Sequence, residues 1–245
     1  MNRIEQVFGV PRVLLPVIHP VSRVTAIESI RVARGEGTRG VFLIDQGMEE
    51  CAVLNLVREV RDTFPALWIG VNLLARSPAK ALKVALNTCD GQIDGIWSDD
   101  ARIDERATLQ PAAEEFVAAR CALRWSGLYF GGVAFKYQRK IGACDLGRAT
   151  ELASSRMDVV CTSGPGTGLA ASTEKIRTMS LHAGGTALAL ASGVTAENAG
   201  NYMCFAQAFL VGTGIEATLG VVDGTKIRAL IRALDEAPHS RATTF

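Results

Sequence analysis

The sequence predicts an α/β fold, a single (β/α)8 barrel spanning residues 1–237, and three observations lead there. Eight short runs rich in aliphatic and β-branched residues alternate with amphipathic stretches along the whole chain. The runs recur every ~20–32 residues, the spacing of parallel strands joined by right-handed helical crossovers. The length of 245 residues matches one such barrel, for which about 250 residues are typical. A doubly wound open sheet is the structural alternative. It calls for a glycine-rich turn after the first strand, and Pro20-Val21-Ser22 provides none. Residues 238–245 are expected to form a flexible C-terminal tail.

Strands are expected at Val13–His19, Val41–Asp45, Leu67–Asn72, Ile93–Asp99, Gly127–Lys136, Met157–Thr162, Thr186–Ser192 and Ala206–Gly212. Between them, Ser22–Arg34, Met48–Thr63 and Glu105–Cys121 read as helices. The first sets Ala26, Ile30 and Ala33 on one face, and the second Val53, Leu56, Val57 and Val60. Gly35 and Gly37 punctuate the first helix and Pro65 the second, while Thr195 and Asp223 suit the N-caps of the last two.

Composition narrows the partners. Lys and Arg number 26 against 25 Asp and Glu, a formal charge of +1, and no basic cluster is interleaved with aromatics. Nucleic acid is therefore not an expected partner. No apolar run reaches the ~18–20 residues that span a bilayer, so no membrane association is expected. The six cysteines are scattered without a C-x-x-C pair and the histidines are only three, which gives a zinc site little support. No metal and no cofactor are expected. Dispersed thiols and an N-terminus without the apolar core of a signal peptide point to the cytoplasm. The sequence leaves a homo-oligomer open.

The chemistry-bearing pattern is a set of glycine loops after the last strands: Thr162-Ser163-Gly164-Pro165-Gly166-Thr167-Gly168, Ser192-Gly193-Val194-Thr195 and Val211-Gly212-Thr213-Gly214. Glycines let backbone N–H groups approach an anion, and the loops after strands seven and eight are where such barrels hold a phosphate. Ser192, Gly193, Gly212 and Thr213 are the candidate phosphate residues. The competing explanation is that these are turns needing positive φ. Gly164–Gly168 does not fit G-x-G-x-x-G and follows a late strand, so it is not read as a dinucleotide fingerprint. With Thr162, Ser163 and Gly164 it reads as a flexible loop over a ligand, or as a plain solvent loop.

Strand parity supplies the mouth. His19 alternates with Val17 and Leu15, and Asp45 with Leu43 and Val41. Asn72, Asp99 and Lys136 likewise fall at strand C-termini, where barrel enzymes place their chemistry. Lys136 beside Asp45 or Asp99 suits proton transfer, oxyanion stabilisation or Schiff-base formation; a salt bridge to a neighbouring carboxylate is its structural alternative. For His19 that alternative is a hydrogen-bonded structural histidine. Trp97, with Gly132 and Ala134, is expected to line a roomy pocket suited to stacking a sugar face, against ordinary core filling.

The runs Val160–Gly168, Ala191–Asn198 and Phe209–Thr213, the opening Arg3–Gly9, Val17-Ile18-His19 and Gly70-Val71-Asn72 together resemble the BtpA family. The resemblance implies a barrel of the ribulose-phosphate-binding type. Members of that family are linked to photosystem I biogenesis in phototrophs and to sugar-related gene sets elsewhere. The chain departs from the family at strand five, where Asp-x-His-x-Lys-His is replaced by Gly132-Val133-Ala134-Phe135-Lys136-Tyr137. An Arg-x-Asn at strand four is replaced by Trp97-Ser98-Asp99, and Glu-Asn at strand two by Asp45-Gln46.

The combined expectation is a phosphorylated sugar or phosphoribosyl ligand. Isomerase, lyase or group-transfer chemistry would centre on Lys136, Asp45 and His19, with Asn72, Asp99 and Trp97 touching substrate. A binding or assembly protein that has lost the strand-five chemistry is the alternative, and FMN binding at the same loops is a weaker third.

Overall fold

A computed structural model describes residues 1–236; the expected tail, 238–245, lies outside the described residues. Eight parallel strands close on themselves: β1 (Val13–Ile18), β2 (Gly40–Ile44), β3 (Trp68–Asn72), β4 (Gly95–Ser98), β5 (Leu128–Gly132), β6 (Val159–Ser163), β7 (Ala187–Ala191) and β8 (Ala208–Val211). Closure is made by β8 against β1, in the register Val13↔Ala208 to Pro16↔Val211. A short helix, α1 (Arg3–Phe8), precedes the barrel. Around it run α2 (Arg23–Gly35), α3 (Glu50–Thr63), α4 (Pro78–Thr88), α5 (Pro111–Ala122), α6 (Leu146–Ser154), α7 (Thr173–His182) and α8 (Gly224–Glu236). A hairpin of β9 (Glu216–Thr218) and β10 (Val221–Val222) follows β8.

Local chemistry explains the helix starts. Ser22 and Ser172 accept the amides of Thr25 and Lys175, and Asp223 accepts those of Thr225 and Lys226, satisfying first-turn donors. Pro78 and Pro111 open α4 and α5, positions where no amide bond is lost. Thr195 caps no α-helix. Its carbonyl and amide bond Asn198, and only a 3₁₀ turn, Ala199–Asn201, connects β7 to β8. The expected helix Glu105–Cys121 begins only at Pro111. The Gln110 side chain ties up Asp104 and Ala107 and holds the preceding segment as a loop.

Two cores result from the period-two alternation of the strands. Val41, Leu43, Ile69 and Val71 face outward to the helices. The barrel interior takes Leu15, Val17, Phe42, Trp68, Trp97, Phe130 and Cys161, with alanines from β7 and β8. Phe42 meets Trp68, Trp97 and Phe130 edge-on at 5.1–5.6 Å between centroids, the arrangement ring quadrupoles favour. Gly70 makes room for this cluster, since a Cβ there would lie 2.3 Å from Phe42 Cε1. Helix α1 stoppers the N-terminal end: Ile4 and Phe8 join the interior cluster, and Phe8 sits 5.3 Å from Trp68.

Strand five is shorter than its apolar pattern suggests. It ends at Gly132, and Ala134 (φ 50°) and Tyr137 (φ 62°) turn the chain away. Among the described residues no helix is long and apolar enough to cross a membrane. The cysteines are free thiols, and among the described residues no group of three or more His, Cys, Asp or Glu is poised for a metal.

Candidate functional site

The loops after β7 and β8 lie side by side at the C-terminal end of the barrel. Ala191 pairs with Leu210, the Ser192 amide donates to Leu210 O at 3.3 Å, and a Cβ on Gly214 would meet Val194 O at 2.6 Å. Ser192 (φ 77°) and Gly193 (φ 70°) both adopt the left-handed conformation. Among the described residues the amides of Gly193, Val194 and Thr213 have no hydrogen-bond acceptor. Thr213 is exposed and opens a 3₁₀ turn.

Packing accounts for much of the glycine content. A Cβ on Gly193 would come within 2.3 Å of Leu169 C, so the loop after β6 rests on it. Ser192 Oγ fastens that loop, accepting from the Gly168 amide at 2.9 Å. A Cβ on Gly212 would strike His19 Cε1 at 2.6 Å. On Gly164 it would lie 2.0 Å from Leu169 O, which folds the loop back on itself. Ser163 is fully buried, and its hydroxyl receives the Lys136 amide at 2.8 Å while donating to Gly164 O at 2.9 Å. Thr162 faces the other way. Strand alternation puts it on the outward side with Val160, where its hydroxyl reaches Ala134 O at 3.4 Å.

At the mouth, Asn72 and Asp99 share the inward parity of Trp68 and Trp97, and Asn72 Nδ2 donates to Asp99 Oδ1 at 3.0 Å. Burial pushes the Asp99 carboxyl above its ordinary range, against the pull of Asn72 and the Lys136 charge. Asp45 continues the outward parity of Leu43 and Val41, so it stands at the rim and not inside the barrel. Its carboxylate accepts the Leu74 amide at 2.8 Å, and partial burial raises its pKa.

Lys136 lies past the end of β5. Its ammonium reaches Thr167 Oγ1 at 3.2 Å, on the loop after β6, and it makes no salt bridge to a carboxylate among the described residues. Trp97 does not line an open pocket. It is 5% exposed, Phe135 packs 6.0 Å from it, and its indole N–H is buried without a partner among the described residues. A Cβ on Gly132 would lie 2.0 Å from Asp99 O, so the space expected there is filled by backbone.

Two residues that matter were not singled out from sequence. Glu216, at the start of β9, binds His19 Nδ1 at 2.8 Å and also accepts the Gly220 amide at 3.1 Å. Lys175, in the first turn of α7, donates to Ala134 O at 2.6 Å and Ser163 O at 2.7 Å. Burial lowers its pKa to about 8. It borders a cavity of about 970 Å³ whose other walls include Phe135, Lys136, Gly164 and Ala171. That cavity lies on the β5–β6 side of the mouth, and the loop after β6 separates it from Ser192 and Gly193. The only local sequence signal for Lys175 is a cation three residues after the N-cap Ser172, a position where a solvent-facing role is the ordinary expectation.

The model of the BtpA family matches residues 42–236. No curated protein matches in sequence. Among solved structures, phosphoribosyl anthranilate isomerase from Thermus thermophilus superposes with a TM-score of 0.61 at 15% identity, covering 91% of this chain and 98% of that one. The native KDPGal structure gives 0.66 at 11% identity, covering 91% and 94%. A 4-hydroxy-2-oxoglutarate/2-dehydro-3-deoxyphosphogluconate aldolase from TTHB1 gives 0.61 at 18% identity, covering 96% and 99%. At these identities the likeness is one of fold.

Proposed function

The chain belongs to the BtpA family, and from that membership we propose that its barrel binds a phosphorylated sugar or phosphoribosyl compound and carries isomerase, lyase or group-transfer chemistry on it. The observation that carries the reading is the contact between the loops after β7 and β8, where the amides of Gly193, Val194 and Thr213 are left without acceptors among the described residues. A phosphate there takes main-chain N–H bonds and the Thr213 hydroxyl, and needs no metal. Gly212 and His19 are in contact, so the imidazole borders the same anion. Asn72 and Asp99 on the inward side of the mouth and Asp45 at the rim supply the polar groups beyond it. Among structures of the same fold, a phosphoribosyl anthranilate isomerase is in complex with reduced 1-(o-carboxyphenylamino)-1-deoxyribulose 5-phosphate, which supports the substrate class.

One observation favours a second reading, a binding protein without turnover. Phe135 and the backbone of Asp99 fill the space at strand five, where the family pattern carries polar groups.

Thermal unfolding with inorganic phosphate, ribose 5-phosphate, phosphoribosyl pyrophosphate, nucleotides and FMN tests the reading. A ligand at a hundred times its Kd raises stability by about 2.7 kcal/mol. The expected result is a shift with the sugar phosphates that Thr213→Val weakens. No shift with any phosphorylated compound would end the proposal.

A further inference from the structure

The Lys175 amine is arranged unlike any other cation of the site. Its Nζ meets two carbonyl oxygens, Ala134 O at 2.6 Å and Ser163 O at 2.7 Å, and no carboxylate pairs with it among the described residues. A neutral amine has two hydrogens and one lone pair. Two carbonyl acceptors take both hydrogens, and the lone pair is left in the remaining tetrahedral direction. An ammonium held the same way leaves its third hydrogen without a protein acceptor. The side chain is partly buried, so this carries the cost of an uncompensated charge. The same side chain borders the cavity of about 970 Å³ at the mouth, ample for a small carbonyl compound.

We propose that Lys175 is a carbonyl-capturing nucleophile: its Nζ attacks the carbonyl carbon of a keto or aldehydo ligand in the adjoining cavity and forms an imine. The nitrogen lone pair makes the C–N bond while the carbonyl π pair moves to oxygen. A proton passes from nitrogen to that oxygen, giving a carbinolamine. A solvent proton then lets the hydroxyl leave as water, and the nitrogen lone pair forms the C=N bond of the iminium. Burial, which pushes the amine to about 8 from an ordinary 10.5, keeps a useful fraction neutral near physiological pH. Lys136, reaching Thr167 on the loop after β6, offers a second cation at the same cavity. The inference deepens the sugar-phosphate reading by naming the ligand's reactive group, and rests on it only for the phosphate.

The test uses the full chain with sodium borohydride and one carbonyl compound at a time: ribulose 5-phosphate, dihydroxyacetone phosphate, ribulose or pyruvate. Reduction traps the imine as a secondary amine, and peptide mass mapping locates it. At least one compound is expected to label Lys175 about ten-fold or more above the exposed lysines, reflecting its larger neutral fraction. Label in Lys175→Arg, which keeps donors for both carbonyls, is expected to fall to the background of those lysines. Trapping by ribulose with no thermal shift from phosphate would support the amine chemistry and sink the phosphate reading. Thermal shifts with sugar phosphates and no label on wild-type Lys175 from any of the four compounds would overturn the inference and leave the phosphate reading standing. The wild-type arm does not depend on whether the variant folds.

Discussion

His19 Nδ1 and Glu216 Oε1 meet at 2.8 Å although 197 residues separate them in the chain, and both side chains are nearly buried. The bond ties the end of β1 to the hairpin that follows β8. The same carboxylate oxygen receives the Gly220 amide, and Gly220 O in turn accepts the Ser29 hydroxyl of α2 at 2.8 Å. One carboxylate thus fixes the imidazole and organises the seam where the barrel closes. It also holds the ring against Gly212, so the orientation of His19 beside the proposed phosphate depends on Glu216.

Glu216→Ala leaves His19 Nδ1 and the Gly220 amide without their partner. A buried donor so stranded costs about 1–3 kcal/mol. The unfolding free energy from urea denaturation is expected to fall by that amount, the midpoint moving down with an unchanged slope. Glu216→Gln, whose amide oxygen still accepts, is expected to recover much of the loss. A midpoint unmoved in the alanine variant would show that the hairpin is held by other contacts.

Helix α1 makes a second prediction. Ile4 is fully buried under the barrel floor, whereas Val7 on the next turn is 41% exposed. Ile4→Ala removes three buried carbons from a packed interior and is expected to destabilise by about 2–5 kcal/mol. Val7→Ala is expected to stay within about 0.5 kcal/mol. Equal effects in the two variants would mean that the helix does not seal the barrel in solution.

What could be read from the chain follows from which interactions are local. Each strand announces itself by its own apolar run, and Ser22 and Asp223 cap the helices they precede. The glycine loops after the last two strands were legible for the same reason. Parity along β2 groups Asp45 with Leu43 and Val41 but does not say which face is inward; that depends on the whole closed sheet. The end of β5 was missed because Phe135 continues the apolar pattern while Ala134, at φ 50°, has already turned the chain. Lys175 and Glu216 were invisible as site residues. Ala134 lies 41 residues from Lys175 and His19 lies 197 from Glu216, and even Ser163, 12 residues before Lys175, meets it only once β6 and α7 have packed.

Asp99 gives a prediction with a sign. Burial raises its folded pKa above the unfolded value, so the native state binds this proton more tightly than the unfolded chain does. The stability it contributes is present below the unfolded pKa and is lost as pH rises through the folded one. Asp99→Asn keeps an acceptor for Asn72 and removes the charge. Its Tm is therefore expected to exceed that of the wild type at pH 7. The gain should shrink towards pH 3, where the wild-type carboxyl is protonated in both states. A gain that does not change with pH would point to packing instead of the buried charge.

Lys175 titrates with the opposite consequence. Its folded pKa, lowered by burial to about 8, lies below the ordinary 10.5, so between these values the unfolded chain binds the proton and the native state does not. Stability then rises with pH across that window and is lower, by a constant amount, beneath it. Burial pushes the Cys161 thiol, whose charge acts on Lys175, well above its usual value, and that group is common to wild type and variant. Arginine at this position remains charged throughout. The difference in unfolding free energy between wild type and Lys175→Arg, measured by urea denaturation at several pH values, is therefore expected to be flat below pH 8. Above it the difference should climb towards pH 10.5 in favour of the wild type. A difference that stays level across this range would place an ordinary, fully charged lysine at the mouth and remove the physical basis for nucleophilic chemistry there.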